Sequence, residues 1–432
     1  MNALVAEFCI VLIFFLWFLS AKIEDSSIAP VPLFLGYWFF SALGPFASWA
    51  LSLLNMEYVD GYILVLVFCI SAFMAALLIR RRRHPTIARI CPRAGLSAHG
   101  RRAIRMLYSC TLPIAFAYPI MVYFQAGNAF GFVSLREIPG IISNARYTSN
   151  WDPGTLINGV NTFVFVAAAL SGFMAADYSI GLKTKFWIFL GILPGVATYY
   201  LTAARTGILF PLVFWLAAYI VGATYFGRSR RFSFAKVLKG GLILMALALP
   251  VVHIGFMIRT GIYDWARSMD FWKTSISTAF GHMPVLGHWM RSSEFTTLPT
   301  FELKSLAGVT AKLGYASREQ GLYTLSYAVG SDDSVSNIYT AFRPLVEDCR
   351  GLAGAGCVFF LICGAANMAW QALRRGSVSA LPIVFAFNVY VLWSVITSIY
   401  IYLSTLMAVV FASMVMTTVL ILDRKWKSSD IG

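Results

Sequence analysis

The chain has 432 residues, 59% hydrophobic, 16% aromatic and only 12% charged, with mean hydropathy +0.72 and a formal net charge of +15. That much apolar surface excludes a water-soluble domain, and repeated apolar runs of about 18 residues or more point to an all-α polytopic integral membrane protein. The excess of cations is gathered in clusters that abut the ends of apolar runs, the positive-inside pattern of cytoplasmic loops, so no nucleic-acid partner is expected.

In chain order, Leu4–Ser20 has the length of a secretion signal. It lacks a preceding basic residue, carries Glu7 and shows no clean small-residue cleavage site, so it is read as a retained helix. The hydropathy pattern predicts about eleven spanning helices, near residues 3–20, 31–54, 61–79, 104–124, 156–176, 186–203, 206–226, 240–258, 352–372, 378–398 and 400–422. The arginine-only loop Arg80–Arg105 and the clusters Arg228–Lys239, Arg374–Arg375 and Arg424–Lys427 then share the cytoplasmic side. The amino terminus lies outside and the carboxyl terminus inside. Prolines inside several spans, such as Pro45, Pro113 and Pro119, are tolerated in membrane helices. No internal repeat is visible, so the inverted symmetry of many transporters has no support in the sequence. The seven cysteines form no CxxC pair and most lie in apolar runs, so neither a disulfide framework nor a zinc site is expected.

This path divides the chain into residues 1–258 with eight spans, a long periplasmic loop 259–350 containing short helices, and residues 351–432 with three spans and a cytoplasmic tail. It also places the turn "YLTAARTGIL", Tyr200–Leu209, on the outer side, so Arg205 is a cation where the charge bias gives no reason for one. A side chain snorkelling to lipid phosphates explains it, and so does an anion-binding role, which is the usual meaning of a costly membrane-edge arginine.

The second outer loop, from Gln125 to Thr155, carries Arg136, Glu137, Arg146 and Asp152. The long loop holds nine acids and nine bases, so it is neutral, unlike the arginine-only inner loops. A loop of that size is functional or disordered, and its aromatic content favours order. Trp265, Met269, Trp272, Ile276 and Phe280 recur at helical spacing, which predicts an amphipathic helix over 264–280, lying on the outer interface or packing against other spans. His282 and His288 stand six residues apart with no third ligand evident. Metal binding is not expected, while proton transfer by His282 and an ordinary loop role both stay open.

The densest polar stretch is "SNIYTAFRPLVEDCRGLAGAG", Ser336–Gly356. On a helix, Arg343, Glu347 and Arg350 share one face at steps of four and three. An ion-paired helix start explains the pattern, with glycines allowing close packing afterwards. So does a site for a bulky anion, with a carboxylate as base.

Two motifs here carry a resemblance. An outward S/T-x-x-R-T/S-G-x-L turn, matched by "TAARTGIL", precedes a long outer loop and then N-I-Y-T-x-F-R-x-L-x-x-D with a following G-x-x-G, matched by Asn337–Arg343, Asp348, Gly351 and Gly354. In these the chain resembles the bacterial oligosaccharide repeat-unit polymerases, the O-antigen polymerase or Wzy family. The family often has an aromatic residue and a glycine directly after the aspartate, where this chain has Cys349 and Arg350.

The resemblance implies a glycosyltransferase of the bacterial inner membrane that joins undecaprenyl-diphosphate-linked repeat units at the periplasmic face. It uses no cofactor and no metal, and a flippase and a chain-length regulator are its expected partners besides lipid-linked glycans and membrane lipids. Arg205, Arg259 and Arg343, with Asn337 and Tyr339, are the residues expected to hold diphosphate and sugar. Arginine's rigid fork suits the charge that gathers on a leaving diphosphate. Glu347, Asp348 and His282 are the candidates for the base that takes the acceptor proton. An O-antigen ligase would share topology and site but differ in acceptor; a transporter should instead carry ionisable residues deep within its spans.

Overall fold

The computed structural model describes residues 2–55, 58–81, 95–131, 134, 137–148, 154–177, 187–202, 204, 206–228, 235–236, 238–240, 242–243, 250, 253–254, 257, 276, 280–292, 295, 303–315, 327–329, 335–336 and 339–429. Among them eight helices are long and apolar enough to cross a membrane. They are α1 (Asn2–Glu24), α2 (Pro30–Ala50), α3 (Asp60–Arg81), α4 (Ala98–Phe130), α6 (Thr155–Ala176), α8 (Thr206–Tyr225), α12 (Leu352–Arg374) and α14 (Leu403–Ser429). Shorter helices are α5 (Ile138–Thr148), α7 (Leu193–Thr202), α9 (His282–Arg291), α10 (Ala307–Lys312), α11 (Phe342–Asp348) and α13 (Leu381–Trp393). The chain is a multi-pass, helical membrane protein. Apolar side chains such as Leu4, Phe8 and Val11 of α1 and Met414 and Ile421 of α14 are exposed, as lipid-facing positions must be.

The helices gather around two cores. In one, α1, α2 and α3 pack with α12; in the other, α6 packs along α8, α4 and α14. The α6–α8 contact combines stacked rings, Phe165 on Phe214 (5.3 Å), with close approach at small residues: a methyl group on Gly222 would stand 2.7 Å from Cβ of Ala176. Helix α13 touches α2, α8, α12 and α14 and so bridges the two cores.

The connections sort into two ends. At one, Asp423 of α14 accepts from the Ser97 amide (2.7 Å) that precedes α4, and Lys427 donates to the Gly95 carbonyl (3.0 Å). Arg228 after α8 donates to Ala176 at the end of α6 (3.0 Å), and Arg424 reaches the Gly376 carbonyl between α12 and α13. Asn367 of α12 donates to Glu24 at the end of α1 (3.0 Å). Arg228 after α8, Arg374 and Arg375 at the end of α12, and Arg424–Lys427 in the last turns of α14 therefore share one end. The opposite end holds α9, α10 and α11. There Asp60, at the start of α3, pairs with Arg291 (2.7 Å), and a methyl on Gly61 would run into the Met283 carbonyl of α9.

The structure departs from the hydropathy pattern at several places. Helix α4 runs 33 residues, about 50 Å at the usual rise, well past the 104–124 span at both ends. The loop 125–155 is correspondingly short and contains α5. The 186–203 run gives the short α7 after a broken first turn. The 378–398 run ends as a helix at Trp393, and residues 394–402 form turns around a 3-10 segment, Ile399–Ile401. Such backbone survives at membrane depth only inside protein. Ser394, Ser398 and Ile399 are buried here, the Ser394 carbonyl accepts from the Ala341 amide (2.7 Å), and the Leu392 carbonyl accepts from the Tyr37 hydroxyl (2.9 Å). A two-residue antiparallel ladder, Tyr327–Ala328 (β1) with Val335–Ser336 (β2), is an element the helical reading does not foresee. The 240–258 span and the 264–280 helix lie outside the described residues, apart from isolated positions. One of these, Phe280, packs against Gly44 of α2.

Candidate functional site

The site is built on α11, which lies inside the bundle and not on its surface. Every residue of this helix is buried. Its first ring, Phe342, stacks on Phe68 of α3 (4.0 Å between centroids) and on Trp38 of α2 (4.7 Å), and meets Phe359 of α12 edge-on. Phe68 lies eight residues into α3, about 12 Å below its start, so α11 begins deep and rises toward the end that carries α9. Thr340 reverses the chain just before it with φ of 61°, and its hydroxyl accepts from the Phe342 amide (3.2 Å). Gly351, at φ 137°, then ends the rise and α12 descends again.

On this dipping helix Arg343 Nε donates to Glu347 Oε1 at 2.9 Å, and both side chains are almost fully buried. The other carboxylate oxygen of Glu347 faces Lys304 Nζ at 3.3 Å. The guanidinium of Arg343 lies 4.1 Å from the ring centre of Tyr339 and 5.2 Å from that of Trp289, so two aromatic faces hold it in place. A row of rings leads away from it. Tyr339 meets Tyr327 (6.2 Å), Tyr327 stacks on His288 (5.0 Å), and His288 meets Tyr58 (4.7 Å).

Asp348 is engaged differently. Its two oxygens accept from the backbone amides of Lys304 (2.6 Å) and Ser305 (2.9 Å). These are the first amides of the 3-10 turn Lys304–Leu306, which runs into α10 and leaves its leading N–H groups without helical partners. A carboxylate there supplies both the acceptors and the negative charge that a helix start favours. Asp348 thus staples the long loop to α11. Beside it, burial and the Asp348 charge push the Cys349 thiol up.

His282 begins α9. Its Nε2 lies 2.9 Å from the Ser41 carbonyl, which only accepts, so Nε2 carries the proton and Nδ1 the lone pair in the neutral ring. Its ring meets Trp38, whose Nε1 donates to Ser394 Oγ (3.0 Å), so His282 joins the site through Trp38 and Phe342.

Of the residues singled out in the sequence, the structure brings Arg343, Glu347 and Tyr339 into direct contact and puts Asp348 and His282 at the margins. Arg350 leaves the shared face. The helix stops at Asp348, and Arg350 has φ of 54°. Arg205, Arg259 and Asn337 lie outside the described residues. The flanks of Arg205 are placed, however. Phe210 of α8 packs on Trp393 (4.2 Å) and Tyr402 (5.6 Å), next to Ser394, which bonds Ala341. The start of α8 therefore belongs to the same end of the bundle as α11. Lys304, Trp289, Trp38 and Ser394 are participants that the sequence reading missed. A lone lysine in a neutral loop carries no local signal, while Trp289 follows His288 in "GHW" as an aromatic at a helix end.

No protein-family model, curated protein or solved structure matches this chain.

An apolar groove of about 500 Å³ opens between α4 and α7, lined by Phe116, Pro119, Ile120, Tyr123, Ala197, Tyr200 and Leu201. Ile120 and Tyr200 are exposed, so the groove faces the surrounding hydrocarbon. It ends four residues before Arg205 in the chain.

Proposed function

We propose that this chain polymerises undecaprenyl-diphosphate-linked oligosaccharide repeat units into O-antigen or a related surface polysaccharide, at the periplasmic face of the bacterial inner membrane. The observation that carries the reading is the buried Arg343–Glu347 pair with Lys304 beside it, at the end of the bundle opposite the basic clusters. In the full topology the eight long helices, α7, α13 and the 240–258 run make eleven spans, with the basic end cytoplasmic and residues 259–350 periplasmic.

The chemistry follows from what the substrate demands. The bond from the sugar's anomeric carbon to the diphosphate oxygen breaks and a glycosidic bond to the acceptor hydroxyl forms. The leaving diphosphate gathers negative charge, which fixed cations in a water-poor site stabilise. Arg343, held by Tyr339 and Trp289, is such a cation, and Arg205 and Arg259 are its proposed companions. The acceptor proton passes to a base. Glu347, inside the cluster, and His282, at its margin, are the candidates for that role, while Asp348 holds two backbone amides of the long loop. The row from Tyr58 to Tyr339 offers amphipathic rings of the kind that lie against sugar faces, and the groove between α4 and α7 suits a hydrocarbon chain.

The charged residues of the eight long helices lie within about two turns of a helix end, as with Glu7, Glu24, Asp60, Arg105 and Asp423. A transport path calls for such groups along the middle of spans, so the placement favours work at a membrane edge. Glycan profiling of a strain lacking this chain tests the proposal. The strain should keep single repeat units on its final lipid and lose the polymer ladder. Loss of the single units as well points to a ligase, and an unchanged ladder overturns the reading.

A further inference from the structure

We infer that Lys304 is a phosphate-binding cation of this site and that Asp348 is the residue that positions it. The inference rests on the reading of the cluster as a site for a diphosphate-bearing lipid and adds a residue to it. Leu303 turns the chain with φ of 50°, and the next two amides are fixed on the two oxygens of Asp348 at 2.6 and 2.9 Å. That clamp sets the Lys304 backbone against α11, and from there its ammonium reaches Glu347 Oε2 at 3.3 Å. Glu347 is thus shared between two cations, Arg343 on one oxygen and Lys304 on the other.

The two cations differ in freedom. Arg343 is 6% exposed and lies against two aromatic rings, whereas Lys304 is 24% exposed and ends a flexible four-carbon stem. Lys304 can exchange Glu347 for a ligand oxygen by side-chain rotation while its backbone stays on Asp348. An arriving phosphate offers it more negative charge than the half-share of a carboxylate. The partner is then a phosphorylated headgroup, lipid-linked or free. Asp348 itself does not touch the ligand; it acts through the place it gives Lys304.

The test is binding of farnesyl diphosphate, inorganic pyrophosphate and farnesol to the purified full chain in lipid nanodiscs, with unfolding temperature recorded for each variant. Lys304→Gln should weaken farnesyl diphosphate binding by roughly tenfold or more, as expected for a charge-assisted contact, and Lys304→Arg should restore most of it. Farnesol binding should not change. Equal losses for pyrophosphate and farnesyl diphosphate mark the phosphate as the determinant; a loss confined to farnesyl diphosphate places the cation at a lipid headgroup. Asp348→Asn should weaken binding to a similar degree, and the Lys304→Gln, Asp348→Asn pair should be no weaker than Lys304→Gln by itself. Wild-type affinity in a folded Lys304→Gln protein overturns the inference, whatever Asp348→Asn does to stability. Additive losses in the pair overturn the positioning role. If these bindings behave as stated while the deletion strain keeps its glycan ladder, the polymerase reading fails and the anion site stands.

Discussion

Arg343 and Glu347 meet at 2.9 Å on a helix whose every residue is buried, with Lys304 from a segment 39 residues earlier closing the other side of the carboxylate. Two charges taken out of water are tolerated only while each has its partner. Removing either should therefore cost far more than a surface pair would. Arg343→Ala and Glu347→Ala should each lower stability by about 3 kcal/mol or more, and the double variant by less than the sum of the two. Denaturation of the three variants in one detergent checks this. Simple additivity would show that the pair is not coupled.

The contact between Trp38 Nε1 and Ser394 Oγ (3.0 Å) ties α2 to the break after α13. Trp38→Phe keeps an aromatic ring near Phe342 but removes the donor and some volume. It should cost about 1 kcal/mol for the hydrogen bond plus a smaller packing loss, read as a drop in melting temperature. An unchanged melting temperature would mean that the broken segment is held by its other contacts.

Much of the fold is written in hydropathy. The apolar run beginning at Leu4 and the runs that became α6 and α8 need no partner to be recognised, because water excludes them whatever they pack against. The Arg343–Glu347 pair was also legible, since its spacing of four is a property of one helix. What escaped notice depends on distant chain. Residues 394–402 read as part of a span because Val395, Ile396, Ile399 and Ile401 are as apolar as any lipid-facing helix, and the groups that support the break, Trp38, Tyr37 and Ala341, are remote in sequence. Lys304 and the cap by Asp348 were hidden for the same reason: 44 residues separate the Asp348 carboxylate from the amide it accepts. Arg350 shows the opposite error, a regular helical spacing carried past the point where the chain turns to positive φ.

Cys349 supplies a pH test that needs no substrate. Burial and the neighbouring Asp348 raise its thiol, so at a given pH less of it is thiolate than for an ordinary cysteine. Alkylation of Cys349 by a water-soluble maleimide should be slow at neutral pH and should rise only at higher pH than for a free thiol. Asp348→Asn removes one of the two causes and should move that rise to lower pH. A profile that ignores the substitution would show that the carboxylate charge does not reach the thiol.

The placement of the two ends is open to reporter fusions. Fusions after Arg93, in the basic loop, and after Ser317, in the long loop, should give opposite signals, the first cytoplasmic and the second periplasmic. Matching signals would contradict the topology on which the site's location depends.

Arg205, between α7 and α8 in the chain, is proposed to share the diphosphate with Arg343. Arg205→Lys should fold yet lose much of the polymer, because an ammonium cannot replace the bidentate fork, and Arg205→Ala should lose nearly all. Glycan ladders at matched protein levels check both; long chains from Arg205→Ala would leave the arginine as a lipid-facing anchor.

The most direct measurement is reconstitution. Purified wild-type protein, Arg343→Lys and Glu347→Gln are placed in proteoliposomes with undecaprenyl-diphosphate-linked repeat units, and the products are resolved by length. A ladder of lipid-linked glycans should form with the wild type, and both variants, folded by melting temperature, should form almost none. If the wild type leaves the repeat units unjoined, or if Glu347→Gln and Arg343→Lys build the ladder as well as it does, the buried cluster on α11 is not the site of polymerisation.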